Sequence, residues 1–338
     1  MGIAGVAMIA TLRSDDWSLT ALPRVDSKTR LGAAARILDP RFHTVHPGAY
    51  DGQFYWGVAV DPLALGRVHN AFDKASYRYG HPLFGWLGWL FSAGRARAVP
   101  AALAALGLAS LFVAAAGAAA LGVGRGTGGW EGLFVALNPG LIGSATHDLG
   151  EPLAAALMVG AIASYVGGRR APTWICLALL PLSKEPLLVV CLAVVAWELV
   201  RHRRRRAAVF ATAVIPALLW WTYTRVQLGA WFTSGDSALG LPLAGWSSTL
   251  LDGRGGEAGV VGVVILVSLV GLLALASLRA VRRRGPVELS YLALVALAAC
   301  LAPNATLEFS TALRNTAFLV VLLPFVVTSR RIEVTSRR

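Results

Sequence analysis

The residues most capable of chemistry lie in HPGAYDGQFYWGVAVDP, His46 to Pro62, and in YRYGHPLFGW, Tyr77 to Trp86. Asp51, between Tyr50 and Gly52, sits in a context that projects a carboxylate from an Asx-type turn. A carboxylate beside aromatic and apolar groups at a membrane surface can hold a pKa suited to proton abstraction, which is a general base's task. The turn alone would explain the same residue. Asp61 before Pro62 reads equally as a cap or as a site residue. Tyr50, Gln53, Tyr55 and Trp56 offer stacking and hydrogen bonds to a sugar, although each alone reads equally as a packed interfacial aromatic or turn residue, and Tyr79 and His81 lie in the second string. Cationic candidates for an anionic group are Arg78, Lys184 and Arg314, with Arg supplying a planar fork and Lys a point charge. In PLSKEP at 181–186, Ser183 is expected to cap a helix starting near 185, whose free amides would face the same anion as Lys184. The alternative is an ion pair between Lys184 and Glu185 or another buried acid. His147, Asp148 and Glu151 form a further polar cluster, where an acid at a helix N-terminus is favourable on dipole grounds alone.

These groups need a scaffold, and the composition says which kind. The 338 residues are 56% hydrophobic and 14% charged, with a mean hydropathy of +0.61, against roughly 45–50% and 25% in soluble domains. That excludes an ordinary soluble enzyme and implies an all-α, polytopic membrane bundle. The net charge of +13 does not require nucleic acid, because 15 of the 31 Lys and Arg fall in four clusters around 169–170, 201–206, 279–284 and 330–338. Positive-inside topology puts each cluster in the cytoplasm. Crossings are expected at 99–122, 131–146, 152–168, 207–224, 259–279, 287–302 and 315–328, with 226–258 and 303–314 outside. Segment 173–200 lies between two cytoplasmic clusters and breaks at 181–186, so it reads as two half-helices meeting at membrane depth.

The same alternation places 13–98 outside as one long loop, with an interfacial helix at 82–93. Residues 1–12, about 18 Å as a helix, read as the stub of a first crossing whose start lies upstream. A signal peptide fits less well, for want of a basic n-region. The whole chain is then a single membrane domain, with a bundle over 99–328 and a cytoplasmic tail at 329–338. The three cysteines lie in apolar segments without metal spacing. GVGRGTGG at 122–129 follows an apolar helix rather than a strand, which rules out the dinucleotide reading.

The strings YDGQFYWGVAVDP at 50–62, NAFDKASYRYGHPL at 70–83, NPG at 138–140, HDLGEPLA at 147–154 and SKEP at 183–186 together resemble bacterial multi-pass glycosyltransferases of the GT-C superfamily. The resemblance runs from about 46 to 200. It implies a polyprenyl-phosphate-linked sugar as donor, a cell-envelope glycan, lipid or protein as acceptor, and Asp51 as catalytic base. Tyr50, Gln53, Tyr55, Asp61, Arg78, Tyr79, His81, His147, Asp148, Glu151, Lys184, Glu185 and Arg314 then become substrate-binding candidates. The chain departs from the family in its short first helix and in having no adjacent second carboxylate, so the residues support no metal or other cofactor. Two other classes stay open: a transporter or flippase using the break at 181–186, and a non-catalytic assembly protein. No internal repeat favours the first, and the aromatic cluster at 46–62 is unnecessary for the second.

Overall fold

Apolar runs punctuated by Gly, Pro and Arg become helices throughout the computed structural model. The structure describes residues 2–234, 239–251, 260–306 and 309–328. The last two Arg pairs, the 329–338 tail and parts of the 226–258 segment lie outside the described residues. Among the described residues there is no β-strand, and only two isolated bridges pair, Asp26 with Val45 and Leu239 with Leu301.

Segment 13–98 is a folded unit rather than a simple loop. After α1 (Gly2–Ser14) come α2 (Arg30–Leu38), α3 (Gly52–Val60), α4 (Ala75–Arg78) and α5 (Leu83–Phe91). The Thr29 hydroxyl accepts from Gly32 N at 3.2 Å and so caps α2. Helix α3 is apolar on every side and almost wholly buried, with Trp56 fully enclosed. Two glycines allow that: a Cβ on Gly52 would meet the His147 carbonyl oxygen at 2.1 Å, and one on Gly57 the Phe72 ring at 2.4 Å. Helix α5 buries Leu83, Phe84, Gly85 and Gly88 and leaves Trp89, Leu90 and Phe91 exposed. The first turn of α5 is therefore used by the fold, and its apolar C-terminal end is left uncovered.

The remainder runs α6 (Val99–Gly124), α7 (Glu131–Ala136), α8 (Pro139–Ala145), α9 (Glu151–Val166), α10 (Arg170–Ser183), α11 (Leu188–Val200), α12 (Arg204–Ala211), α13 (Ile215–Leu228), α14 (Ala244–Leu251), α15 (Val260–Arg283), α16 (Pro286–Ala299), α17 (Pro303–Thr306) and α18 (Phe309–Thr328). Among the described residues three helical stretches are long and apolar enough to cross a bilayer: Ala96–Gly124, Arg204–Leu228 and Thr311–Thr328. The expected crossing at 131–146 is not one helix. Asn138 turns out of α7 and its side chain accepts from Gly140 N and Leu141 N, starting α8 with Pro139 in the first turn. The break at 181–186 is present, as α10 ends at Ser183 and a short 3-10 turn, Glu185–Leu187, precedes α11.

Small residues let the helices approach closely. A Cβ on Gly117 of α6 would lie 3.1 Å from Val159 of α9, and one on Gly160 of α9 would lie 3.2 Å from Cys176 of α10. Leu111, Met158, Leu177, Val190, Tyr291 and Phe325 belong to the core so formed. Three polar ties fix the bundle against the N-terminal unit and within itself. Trp220 and Trp221 of α13 donate to the carbonyls of Tyr79 and Gly80 at 2.7 and 2.8 Å. The Asn138 side chain donates to the Ala317 carbonyl at 3.0 Å, holding α18 beside α8.

Candidate functional site

A cavity of about 440 Å³ lies where the N-terminal unit meets the bundle. Asp51 reaches it from the start of α3, Arg78 from the end of α4, Glu151 from the start of α9, Lys184 and Glu185 from the break after α10, and Arg314 from α18. Tyr55 and His81 also line it. Four cations, counting Lys74, thus face three carboxylates and a histidine. The lining also holds apolar side chains, among them Leu294 and Leu297 of α16, Leu301 just after it, and Phe318 and Leu319 of α18.

The charged side chains form an alternating chain. Arg78 Nε and Nη2 each donate to Asp73 at 3.2 Å, and Nη1 donates to Asp51 Oδ1 at 3.2 Å. Its guanidinium lies 3.5 Å over the centre of the Phe54 ring, which fixes its plane. Arg314 Nη1 is 3.0 Å from Asp51 Oδ2, and its Nε is 3.6 Å from Glu151 Oε1. Tyr50 lies beneath the Arg314 guanidinium, 5.3 Å away. Lys184 Nζ donates to the same Glu151 oxygen at 2.5 Å. Beside this chain His81 Nδ1 is 2.7 Å from Glu185 Oε2.

Asp51 occupies the capping position of α3 but makes no capping hydrogen bond. Its side chain keeps 39% of its surface accessible, so it opens on the cavity. The expected tuning by apolar neighbours is corrected here. Burial pushes the carboxyl up, yet the charges of Arg314, Arg78 and Lys184 outweigh it and hold Asp51 below the usual carboxylate range.

Lys184 pairs with Glu151 rather than with its neighbour Glu185. Ser183 caps nothing: it is still the last residue of α10, its hydroxyl is buried without a partner, and the extended capping conformation falls to Lys184.

Several candidates stand elsewhere. Asp61 is buried at the far end of α3 and accepts from Gly66 N at 2.9 Å, from His69 N at 3.2 Å and from His69 Nδ1 at 2.9 Å, which makes it a local clamp. Tyr79 is fully buried and donates to the Asp61 carbonyl at 2.5 Å. Gln53 Oε1 accepts from Asp26 N at 3.3 Å and serves the N-terminal fold. His147 packs its ring 5.2 Å from Tyr50, outside the cavity lining. Asp148 is fully buried at positive φ, with no hydrogen-bond partner among the described residues, and burial pushes its carboxyl far up.

Among the described residues no group of three or more His, Cys, Asp and Glu is placed to hold a metal. Residues that the sequence reading passed over include Asp73, which orients Arg78, and Phe54, Tyr77, Asn304 and Asn315 in the lining. Only Asp73, Phe54 and Tyr77 lay inside the quoted strings. We found no family model, curated protein or solved structure that matches the chain.

Proposed function

We propose that this chain is a multi-pass cell-membrane glycosyltransferase of the GT-C kind, moving a sugar from a polyprenyl-phosphate donor to a hydroxyl of a cell-envelope glycan, lipid or protein. The observation that carries the reading is the mixed lining of the cavity. The cations gathered around Asp51 suit a phosphate and a reacting hydroxyl, and the apolar side chains of α16 and α18 suit a prenyl chain.

In the reaction so proposed, the acceptor oxygen attacks the anomeric carbon and forms the new C–O bond. The bond from that carbon to the phosphate oxygen breaks, and its electron pair leaves on the phosphate. The hydroxyl proton passes to Asp51. Arg78, Arg314 and Lys184 stabilise the departing phosphate, each by charge-assisted hydrogen bonds. Tyr55 and His81 line the same cavity, and the reading gives them to the sugar and acceptor. The reading also takes 13–98 and the cavity to be extracytoplasmic and the exposed end of α5, Trp89 to Phe91, to lie in the outer leaflet.

The test is purified protein incubated with a panel of polyprenyl-phosphate sugars and hydroxyl acceptors. Release of polyprenyl phosphate together with a glycosylated product is the expected result. Donor binding without release, or movement of the intact donor between leaflets of vesicles, would replace the enzyme by a carrier.

A further inference from the structure

In the cavity the base and the phosphate ligands are already occupied with one another. Both oxygens of Asp51 accept from guanidiniums, Oδ1 from Arg78 and Oδ2 from Arg314. An acceptor hydroxyl approaching this carboxylate meets an anion whose charge is spent on two cations.

The two arginines are held differently. Arg78 is fixed by both oxygens of Asp73 and by the Phe54 ring. Arg314 is not: among the described residues its Nε, though buried, has no hydrogen-bond partner, and neither has Glu151 Oε2. These two unsatisfied groups belong to side chains already 3.6 Å apart through Nε and Oε1. A buried donor left unmade costs free energy, and a small turn of the guanidinium that closes Nε onto the Glu151 carboxylate would recover that cost. The Asp51 contact opposes that turn.

Resting on the proposed function, we propose that donor binding arms the base: the donor phosphate takes over the outer nitrogens of Arg314, the guanidinium closes its Nε onto Glu151, and Asp51 Oδ2 is released to accept the acceptor proton. Glu151 is then a positioning residue, a second anchor for Arg314 that also holds Lys184 toward the same phosphate. Proton abstraction is coupled to the presence of donor, because only an external anion replaces Asp51 as the partner of Arg314. The charged and titratable groups facing Asp51 are Arg78 and Tyr77 from α4, Glu151 from α9, Lys184 from the break and Arg314 from α18. From its own segment come Tyr50 and Tyr55. Of the cations, Arg314 alone contacts both Asp51 and a second cavity carboxylate, Glu151, among the contacts found.

The test is the pH dependence of transfer by the full-length protein in detergent. The acidic limb of kcat/KM for donor reports the base in the free enzyme, and the limb of kcat reports it with donor bound. Loss of one of the neighbouring opposite charges raises a carboxylate by about one pH unit. The kcat limb is therefore expected about one unit above the kcat/KM limb in the wild type, and the two should coincide in Arg314→Gln. Glu151→Gln should lower kcat more than it raises donor KM, with Glu151→Asp recovering part of the loss. Coincident limbs in the wild type would overturn the arming, whether or not the variants fold. A wild type inactive toward every donor would overturn the glycosyltransferase reading instead, and the arming with it.

Discussion

Helix α3 begins and ends with an aspartate, and the two ends teach opposite lessons. Asp61, at the C-terminal end, is satisfied within eight residues of chain, by Gly66 and His69. Asp51, at the N-terminal end, makes no local cap and is held by Arg78 and by Arg314, 263 positions away. A carboxylate whose partners come from its own turn stabilises that turn. One that draws cations from remote elements into a cavity is arranged for something other than local stability, since a buried ion pair is weak evidence for stability.

The largest expected effect separates the two ends directly. Asp51→Asn should lower transfer by about 10²–10⁴-fold, the usual worth of a positioned base. Donor binding should stay equal or tighten, because the internal anion that competes for Arg314 is gone. Loss of donor binding in that variant would make Asp51 a scaffold for the arginines.

Lys184→Met is next. It leaves Glu151, almost wholly buried, with only the loose Arg314 contact. Donor KM should rise about 10–100-fold, the value of one charged hydrogen bond, and thermal melts should record a loss of about 3–5 kcal/mol, as when one partner of a buried ion pair is removed. Lys184→Arg should retain part of both. An unchanged KM with the same stability loss would confine Lys184 to structure.

Asp61→Asn should do the reverse of Asp51→Asn, costing about 1–2 kcal/mol of stability with transfer per folded molecule unchanged. Burial raises the Asp61 carboxyl, but the amides of Gly66 and His69 and the His69 ring more than offset it and leave it below its ordinary value. A carboxyl lowered on folding stabilises fully above its unfolded pKa, roughly 3.9, and loses that contribution as pH falls toward the folded value. Melts of wild type and Asn variant should therefore converge as pH drops below about 4. A constant difference at every pH would remove the charge from the explanation.

The smallest effect concerns the uncovered C-terminal end of α5. Trp89→Ser should weaken retention in vesicles while changing transfer in detergent by no more than about twofold, as surface substitutions do. A large loss in detergent would put Trp89 in the fold's core, against its exposure.

The chemistry-bearing residue types were legible one by one, and the assembly was not. Asp51, Arg78, Lys184 and Arg314 announce themselves as ionisable groups in aromatic or apolar surroundings. That they touch depends on α13 docking onto Tyr79 and Gly80 and on Asn138 gripping α18, and neither tie leaves a periodic trace. Asp73 is an ordinary loop acid by sequence, and only the fold makes it the anchor of Arg78. Pro181 and Pro186 announced the break near Lys184, yet Ser183 misled because a capping residue must leave the helix and this one stays in it. Asn138-Pro139 carried its own stop signal, which the apolar run on both sides masked. Cavity shape, the α16 lining above all, depends on packing and could not be read at all.

The account's central claim is that this cavity receives the phosphate of a prenyl donor. Binding of a polyprenyl phosphate to the purified full-length chain, compared among wild type, Arg78→Gln and Arg314→Gln, tests it most directly. Saturable binding by the wild type, weakened at least about tenfold in each variant with melting behaviour near wild type, is the expected result. Equal binding by all three proteins would contradict it.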